Sequence, residues 1–317
     1  MTHYGQSLLG CGMIDDRHFE MEDYQGTIAR WCPGCGDHSI LTAMQRLLEE
    51  EQLKPENTVF VSGIGCSSRF PHYMKTYGFH GLHGRALPVA TGIKLERPEL
   101  HLFVAMGDGD CCSIGASHWL HATRYNMDML AVLLDNNMYG LTKGQTSPTT
   151  PQKFPSNTQP SGTYLRALNP ISATLGVTNA SFVAQTAEWI PPHLFETLKV
   201  AYRHKGFSFV RILQRCPVYT ASIFEEAVRD PDLIELLIHD DGVWVKDLDQ
   251  IYGHTFYHDP RDLNTARALA EPSDRLRLGI FYRNEDVPVY EEIRRLPSYT
   301  ADERVRTLNQ ELDRYAV

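Results

Sequence analysis

The fold of this chain is decided by residues 101–146, which read HLFVAMGDGDCCSIGASHWLHATRYNMDMLAVLLDNNMYGLTKGQT. The apolar run His101–Met106 ends in GDGD (107–110), and after a helix-like segment the apolar run Met129–Leu134 ends in DNN (135–137). Strand, turn, helix and strand form one βαβ unit, whose crossover we expect to be right-handed. Both polar turns should therefore lie at the carboxyl ends of parallel strands, where open α/β sheets bind ligands.

The residue types at that edge favour an anion bound together with a divalent cation. Gly107 and Gly109 let backbone amides come close to an anion, and a following helix N-terminus would add donors that suit a diphosphate. Asp108 and Asn136 carry hard oxygen ligands on adjacent turns. With a backbone carbonyl and phosphate oxygens they could complete an octahedron around Mg²⁺.

Composition bounds the class of protein. A chain of 317 residues, 42% of them hydrophobic, is long enough for one large α/β domain with an appendage. A net charge of −9 with both signs spread along the sequence argues against nucleic acid or an anionic membrane as the main partner. Because we find neither a membrane-length apolar run nor a signal-peptide pattern, we expect a soluble cytoplasmic protein.

Four of the seven cysteines share one kind of position, beside a strand end or a helix start on the same edge: Cys32, Cys35, Cys66 and Cys216. The first two form a Cys-x-x-Cys ahead of a helix expected from Asp37, its N-cap, to Glu51, and this placement lowers a thiol pKa. Four thiolates suit either a tetrahedral zinc site or a 4Fe–4S cluster, and the pair alone also fits a redox dithiol. Spacing does not choose between these three.

The segment NMYGLTKGQTSPT (137–149), following GDG and Asn-Asn, carries a family resemblance. The GDG and Asn-Asn spacing resembles the thiamine diphosphate motif. The longer segment resembles the β subunit of two-subunit 2-oxoacid:ferredoxin oxidoreductases, most closely those that act on 2-oxoglutarate. The resemblance covers roughly residues 28–220. It implies a thiamine diphosphate-binding α/β fold, a mostly parallel sheet with helices on both faces, plus a C-terminal extension.

The resemblance also implies roles for individual residues. The 4Fe–4S ligands would be Cys32 and Cys35 in CPGC, Cys66 in GIGCSSR and Cys216 in RCP. Zinc is disfavoured because an oxidative decarboxylation needs an electron acceptor, which zinc cannot be. The Mg²⁺ ligands would be Asp108, Asn136 and the backbone carbonyl of Met138. The other cofactor-binding residues would be Ile64, Gly65, Ser67, His83, Gly107, Gly109, Asp110, Tyr139, Gly140, Leu141 and Thr142.

The substrate prediction rests on the loop Leu141-Thr142-Lys143, which we expect to take part in catalysis. The tail of 2-oxoglutarate carries a second carboxylate, which in a partly dry site needs a cation or strong donors. Lys143 could supply the cation, although most lysines are simply solvated. We therefore expect 2-oxoglutarate, with pyruvate or a broad range of 2-oxoacids as the alternative.

The sequence divides into three parts: an N-terminal arm (1–27), a thiamine diphosphate- and cluster-binding domain (28–216), and an extension (217–317) that covers the cluster and contacts partner subunits. Strands are expected at Thr58–Ser62 and Gly206–Arg215, and helices near Pro192–His204 and at Pro231–His239. Residues 144–165, rich in Pro, Ser, Thr and Gln, should form a long loop or lid.

The resemblance further implies an α subunit in an α₂β₂ complex, because the chain supplies only the diphosphate-binding half of a thiamine site. The complex would convert 2-oxoglutarate, coenzyme A and oxidised ferredoxin to succinyl-CoA, CO₂ and reduced ferredoxin, reversibly. A hypothesis from a different class of function is a non-catalytic nucleotide-binding module that a four-cysteine zinc site stabilises.

Overall fold

The protein is described here from a computed structural model, which covers residues 17–294 and 300–315. Cys11 and the first sixteen residues of the predicted N-terminal arm lie outside the described residues. Within the described part of the chain, no helix is long and apolar enough to cross a membrane.

A nine-stranded sheet forms the centre of the molecule, with the strand order β10-β9-β11-β7-β8-β4-β3-β1-β2. The strands are β1 (Thr58–Ser62), β2 (Tyr77–His80), β3 (His101–Gly107), β4 (Met129–Asp135), β5 (Met138–Tyr139), β6 (Gln145–Thr146), β7 (Phe182–Ala187), β8 (Phe207–Leu213), β9 (Ile234–Ile238), β10 (His254–Tyr257) and β11 (Leu276–Arg283). The six strands from β7 to β2 are parallel to one another, and β5 and β6 form a separate antiparallel pair.

Helices cover both faces of this sheet. They are α1 (Asp37–Glu50), α2 (Ala86–Glu96), α3 (Ala116–Tyr125), α4 (Pro170–Leu175), α5 (Pro191–Arg203), α6 (Glu225–Arg229), α7 (Leu248–Ile251), α8 (Leu263–Ala270), α9 (Tyr290–Ile293) and α10 (Ala301–Asp313). Alternate residues of β3 point to opposite faces: Phe103 joins the core under α1 and α5, and Val104 joins the core under α2 and α3. The predicted fold class is confirmed.

The strand order creates a crevice at one edge of the sheet. The chain leaves β1 toward β2 on one side and leaves β3 toward β4 on the other. The loops that follow β1 and β3 therefore diverge, which opens a cleft between the carboxyl ends of these two strands. The GDGD turn comes from β3, so the motif lies at the position where parallel sheets bind ligands.

The C-terminal region adds β9, β10 and β11 to the same sheet. β11 pairs antiparallel with β7, and β9 and β10 run parallel to β11, so this block runs opposite to the other six strands. The helix predicted at Pro231–His239 is wrong, because Ile234–Ile238 is strand β9. Ile234 and Leu236 share one buried face with β11, an alternation that pairing with a distant strand selects.

Residues 144–165 form a long loop, as predicted, which we call the lid; only β6 within it is regular structure. Its first part, Ser147–Thr150, is mostly buried and hydrogen-bonds to the turn after β4. The lid therefore begins inside the site rather than on its outer surface.

The core packing predicts the effect of one large-to-small substitution. Phe103 stacks against Phe60 at 4.8 Å and against Tyr202 at 5.7 Å between ring centroids. Phe103→Ala should lower the free energy of unfolding by about 3–5 kcal/mol, because it removes a buried ring and leaves a cavity. Phe256→Ala, on an edge strand and 41% exposed, should cost far less. Equal losses in denaturant unfolding would contradict this assignment of the core.

Candidate functional site

A cavity of about 270 Å³ opens at the cleft between β1 and β3. Its lining includes every residue predicted to bind the cofactor or Mg²⁺: Ile64, Gly65, Ser67, His83, Gly107, Asp108, Gly109, Asp110, Asn136, Met138, Tyr139, Gly140, Leu141 and Thr142. Three lining residues were not predicted there: Cys66, Leu134 and Gln214. The cavity therefore brings together turns that are far apart in sequence.

The predicted magnesium ligands line this cavity from two adjacent turns. Asp108 is buried at the end of β3, and its Oδ2 accepts a hydrogen bond of 2.7 Å from the Thr149 hydroxyl. Burial, and then the charge of the nearby Asp135, raises the pKa of the Asp108 carboxyl. Asn136 lies on the adjacent turn, where its Oδ1 accepts from the backbone amide of Met138 at 3.1 Å. Both residues line the cavity, and each carries a side-chain oxygen of the kind that a divalent cation binds.

Asp110 holds two loops of the site together. Its Oδ1 accepts hydrogen bonds from the backbone amides of Ile64 (3.1 Å) and Gly84 (2.6 Å), and it lies 2.9 Å from Nδ1 of His83. Burial raises the pKa of Asp110, and these donors act in the opposite direction. Contact of Asp110 with a diphosphate remains a prediction, and its backbone rather than its carboxylate suits that contact.

The segment after GDGD differs from the prediction. The helix expected to start there is delayed: Asp110–Ile114 forms a single wide π turn, and α3 begins only at Ala116. A Cβ built on Gly115 would lie only 3.2 Å from the Cα of Gly84, so the two backbones are in close contact. The chain therefore passes the His83 loop before the regular helix α3 begins. Such turns occur often at functional sites. Asp110, the first residue of this turn, lines the cavity, so the cavity borders the turn and not the start of a regular helix.

Glycine leaves open space on one wall of the cavity. Gly65 has a φ of +145°, and apart from Gly65 and its two chain neighbours no atom of the described residues lies within 4 Å of the position that its Cβ would occupy. Any other residue would be strained there and would project a side chain into this space. The opening suits a flat group that needs close backbone approach.

The four predicted cluster ligands are free thiols of graded exposure: Cys32 is exposed, Cys35 and Cys66 are half-buried, and Cys216 is buried. Burial raises the pKa of Cys66 to about 12, and the nearby Asp37, Cys216 and Cys32 add to this. Burial and Asp37 also raise the pKa of Cys35, so the prediction of a lowered pKa at this helix start is wrong. Desolvation outweighs the helix terminus here.

Asp37 does not cap α1 as predicted. Gly36 is the N-cap, and the described residues provide no side-chain capping bond at this end. The carboxylate is instead buried beside Cys35, where burial raises its pKa to about 7. Within the described residues, no three His, Cys, Asp or Glu side chains lie close enough to hold a single metal ion. That finding concerns a single ion. In a 4Fe–4S cluster each thiolate binds its own iron, so the four cysteine sulfurs lie further apart than the ligands of one metal ion.

Two residues connect the thiols to the cavity. Cys66 lines the cavity directly, and a Cβ on Gly140 would lie 3.3 Å from its Sγ. Gln214, which also lines the cavity, donates from Nε2 to the Cys35 sulfur at 3.3 Å. Sequence reasoning missed Gln214, although its place between β8 and Cys216 was a usable signal.

The predicted substrate loop lies at the mouth of the cavity. Leu141 and Thr142 line it, and Leu141 is 48% exposed. Lys143 is exposed, lies just outside the lining and has a φ of +82°, a left-handed conformation that costs energy for a residue other than glycine. Such strain is concentrated at functional sites.

Family models match two segments of the chain. Residues 63–212 match the model described as thiamine pyrophosphate enzyme, C-terminal TPP binding domain. Residues 245–299 match the model for the C-terminal part of the beta subunit of pyruvate ferredoxin oxidoreductase. The first segment contains every residue that lines the cavity except Gln214.

Similar curated proteins carry related names. The 2-oxoacid:ferredoxin oxidoreductase subunit beta of a Sulfolobus species is 40% identical over 273 residues, 83% of this chain and 84% of that protein. The 2-oxoglutarate oxidoreductase subunit KorB of Mycobacterium tuberculosis is 46% identical over 196 residues, 62% of this chain and 52% of that protein. The match therefore spans about half the length of the mycobacterial relative.

A solved structure is similar over nearly the whole chain. It is a 2-oxoglutarate:ferredoxin oxidoreductase from Magnetococcus marinus with 2-oxoglutarate, coenzyme A and succinyl-CoA bound. The two chains superpose with a TM-score of 0.74 at 34% sequence identity, covering 93% of this chain and 91% of the other.

A glycine in the β1 loop tests the geometry of the site. A Cβ at Gly63 would lie 2.1 Å from Oδ2 of Asp110, so Gly63→Ala must displace the carboxylate that joins the two loops. We expect it to lower the free energy of unfolding by about 1–3 kcal/mol. Gly92→Ala, at an exposed position of α2 with open space around it, should be neutral or stabilising. Equal thermal stability of the two variants would contradict the role given to Asp110.

Proposed function

This chain belongs to the family of 2-oxoacid:ferredoxin oxidoreductase β subunits, and from that premise we propose how its own residues serve the reaction. With an α subunit it would convert 2-oxoglutarate, coenzyme A and oxidised ferredoxin to succinyl-CoA, CO₂ and reduced ferredoxin. The observation that carries the proposal is that one cavity is lined both by Asp108 and Asn136 and by the thiol of Cys66. A cofactor site and a redox site therefore share a wall.

The residues present fit thiamine diphosphate with Mg²⁺. Asp108 and Asn136 would supply side-chain oxygens and Met138 a backbone carbonyl, a hard donor set that suits this cation. Gly107 would let the diphosphate approach the backbone, and Gly109 makes room for the ring of Tyr139, which fills the position that a Cβ would take. The open space beside Gly65 is of the kind that a ring requires.

Thiamine diphosphate, when bound, supplies an electron sink for cleavage of the bond between the keto and carboxyl carbons. The chain's own part is positioning and exclusion of water. The apolar walls around Leu134 and Met138 keep the floor of the cavity dry, which strengthens polar interactions within it. Tyr139 donates from its hydroxyl to the carbonyl of Gly109 at 3.1 Å and so fixes the β5 loop against the GDGD turn.

We propose that Cys32, Cys35, Cys66 and Cys216 hold a 4Fe–4S cluster. Hydrogen bonds join the three loops that carry these thiols: the Gly36 amide donates to the carbonyl of Arg215 at 3.2 Å, and Nε1 of Trp31 donates to the carbonyl of Cys66 at 2.6 Å. Cys66 faces the cavity and Cys32 faces solvent, so electrons could enter on one side of the cluster and leave on the other. Ferredoxin would receive them on the exposed side.

The proposed substrate follows from the relatives and from Lys143. Several similar proteins are named for 2-oxoglutarate, and the structural neighbour holds 2-oxoglutarate and coenzyme A. A cation at the mouth of the cavity suits the second carboxylate of that substrate. Pyruvate, or a broad 2-oxoacid range, is the second candidate, since the C-terminal family model carries the pyruvate name.

The assembly and the domain roles are also proposals. An α subunit would cover the mouth of the cavity in an α₂β₂ complex and contribute the rest of the thiamine and coenzyme A sites. The C-terminal extension (217–317) would cover the cluster. Its first residues also reach the neighbouring loop, where the Thr220 hydroxyl donates to the carbonyl of Asn136 at 2.9 Å. The segment after Cys216 thus contacts the metal loop.

Asp108 tests the cofactor site. Asp108→Ala in the assembled complex should abolish retention of thiamine diphosphate, because it removes one of two side-chain magnesium ligands. Asp240→Ala, a carboxylate outside the cavity lining, should retain it. Cofactor content is measured after gel filtration in Mg²⁺ buffer. Full retention by Asp108→Ala would contradict the proposed site.

Lys143 tests the substrate. Lys143→Ala should raise the KM for 2-oxoglutarate by about tenfold or more while leaving pyruvate nearly unaffected, because one charge-assisted contact contributes about 1.5–3 kcal/mol. Lys153→Ala is a matched control, since Lys153 is also exposed, on the lid, and left-handed in conformation. An unchanged ratio of kcat/KM for the two substrates would remove Lys143 from the substrate site.

A further inference from the structure

The magnesium ligand Asp108 is held by a buried chain of polar groups that reaches β8. We propose that Thr149 is a positioning residue for Asp108, and that Asp135 and Arg211 hold Thr149 in place. The proposal rests on the function proposed above, because it concerns the same metal site. It assigns a role to the first residues of the lid, which the sequence alone shows only as part of a loop.

Thr149 lies between two buried carboxylates. Its Oγ1 is 2.7 Å from Oδ2 of Asp108 and 2.7 Å from Oδ1 of Asp135, so the hydroxyl can donate to either. Thr149 and Asp108 are each 2% exposed, and Asp135 is 0% exposed. Water cannot replace a hydroxyl in such a place without a cavity to hold it. The Thr149 hydroxyl is therefore placed to orient the Asp108 carboxylate, and the Ser147 hydroxyl lies 3.4 Å from the same Thr149 oxygen.

Asp135 is fixed from the opposite side by Arg211. The guanidinium donates from Nε to Oδ2 of Asp135 at 2.7 Å, and its Nη2 lies 2.6 Å from the same oxygen. Its Nη1 donates to Oε1 of Gln185 at 3.0 Å, so the guanidinium is itself held in place. A charged hydrogen bond from a planar group fixes geometry as well as charge. A buried ion pair contributes little net stability, because desolvation offsets its attraction. Its value here lies in holding a carboxylate in one orientation.

The lid backbone is pinned to the same turn. Asp135 Oδ1 also accepts from the amide and from Nδ2 of Asn137, and that Nδ2 donates to the carbonyl of Thr149 at 3.0 Å. The Thr150 hydroxyl donates to the carbonyl of Asn137 at 2.6 Å. Thr149 is thus held at both its backbone and its side chain. Its hydroxyl position follows from β4 and β8, not from the exposed part of the lid.

The arrangement has a direct consequence for the cation. A carboxylate with one oxygen fixed by a hydroxyl can present the other oxygen without first choosing a rotamer. Groups that orient a metal ligand typically change metal affinity about 10–100-fold when they are removed. The hydrogen-bonded series Arg211, Asp135, Thr149 and Asp108 therefore sets how tightly Mg²⁺, and with it the diphosphate, is retained.

The test uses Mn²⁺ in place of Mg²⁺ in the assembled complex with saturating thiamine diphosphate. The electron paramagnetic resonance signal of free Mn²⁺ at room temperature measures binding without any need for turnover. Thr149→Val keeps the shape but loses the hydroxyl, and should weaken Mn²⁺ binding about 10–100-fold. Thr149→Ser should restore most of the affinity. Arg211→Lys, which keeps the charge but cannot contact both Asp135 and Gln185 with a planar group, should weaken Mn²⁺ binding to a smaller degree.

The control variant is Thr163→Val, another buried lid threonine, whose hydroxyl donates to the carbonyl of Pro151 and not to a carboxylate. It should bind Mn²⁺ as the unmodified complex does. If Thr149→Val lowers thermal stability and leaves Mn²⁺ affinity unchanged, Thr149 is structural and the positioning role is overturned.

Asp108→Ala separates this proposal from the one on which it rests. Loss of Mn²⁺ binding in Asp108→Ala together with normal binding in Thr149→Val overturns only the positioning role of Thr149. Normal binding in both variants overturns the metal site itself. Weakened Mn²⁺ binding in Thr149→Val, with rescue in Thr149→Ser, supports the positioning role of Thr149.

Discussion

Two carboxylates, Asp108 and Asp135, are buried at the ends of adjacent parallel strands, and most of the site is arranged around this fact. Like charges in a dry place are costly unless each is compensated. Asp135 is compensated within the chain by Arg211. Asp108 has a hydroxyl contact but no arginine among the described residues, and burial raises its pKa. We propose that a divalent cation compensates Asp108, so that binding of the cofactor with its cation would offset the free-energy cost of burying this carboxylate.

The second feature of the site is how close its two kinds of chemistry lie. Cys66 comes from the loop after β1, and Gln214 comes from the end of β8, yet both line the cavity that holds Asp108. Gln214 also donates to the Cys35 sulfur. Only one side chain, that of Gln214, therefore separates the Cys35 sulfur from the cavity proposed to bind the diphosphate, and Cys66 reaches this cavity directly. This proximity is what an enzyme needs when electrons leave a bound cofactor directly for a cluster.

Much of the fold could be predicted from the sequence, because buried parallel strands are near-continuous apolar runs. Thr58–Ser62 is a strand with the predicted bounds, and the cofactor-lining residues all meet in one cavity. The few apolar residues of Ile234–Ile238 fit a helix as well as a strand, and only pairing with β11 decides between them. The hydrogen bonds of Thr149, the π turn at Asp110–Ile114 and the raised pKa of Cys35 depend on burial by distant segments. Local sequence does not encode these contacts.

The most direct test of the central claim is the composition of the anaerobically purified complex. Iron, acid-labile sulfide, zinc and thiamine diphosphate are measured per copy of this chain in one preparation. If a cluster and the cofactor occupy neighbouring sites on the wall of one cavity, each copy of the chain should hold roughly four irons, four sulfides and one thiamine diphosphate, with zinc near zero. One zinc per chain without iron, or iron without thiamine diphosphate at saturating Mg²⁺, would contradict it.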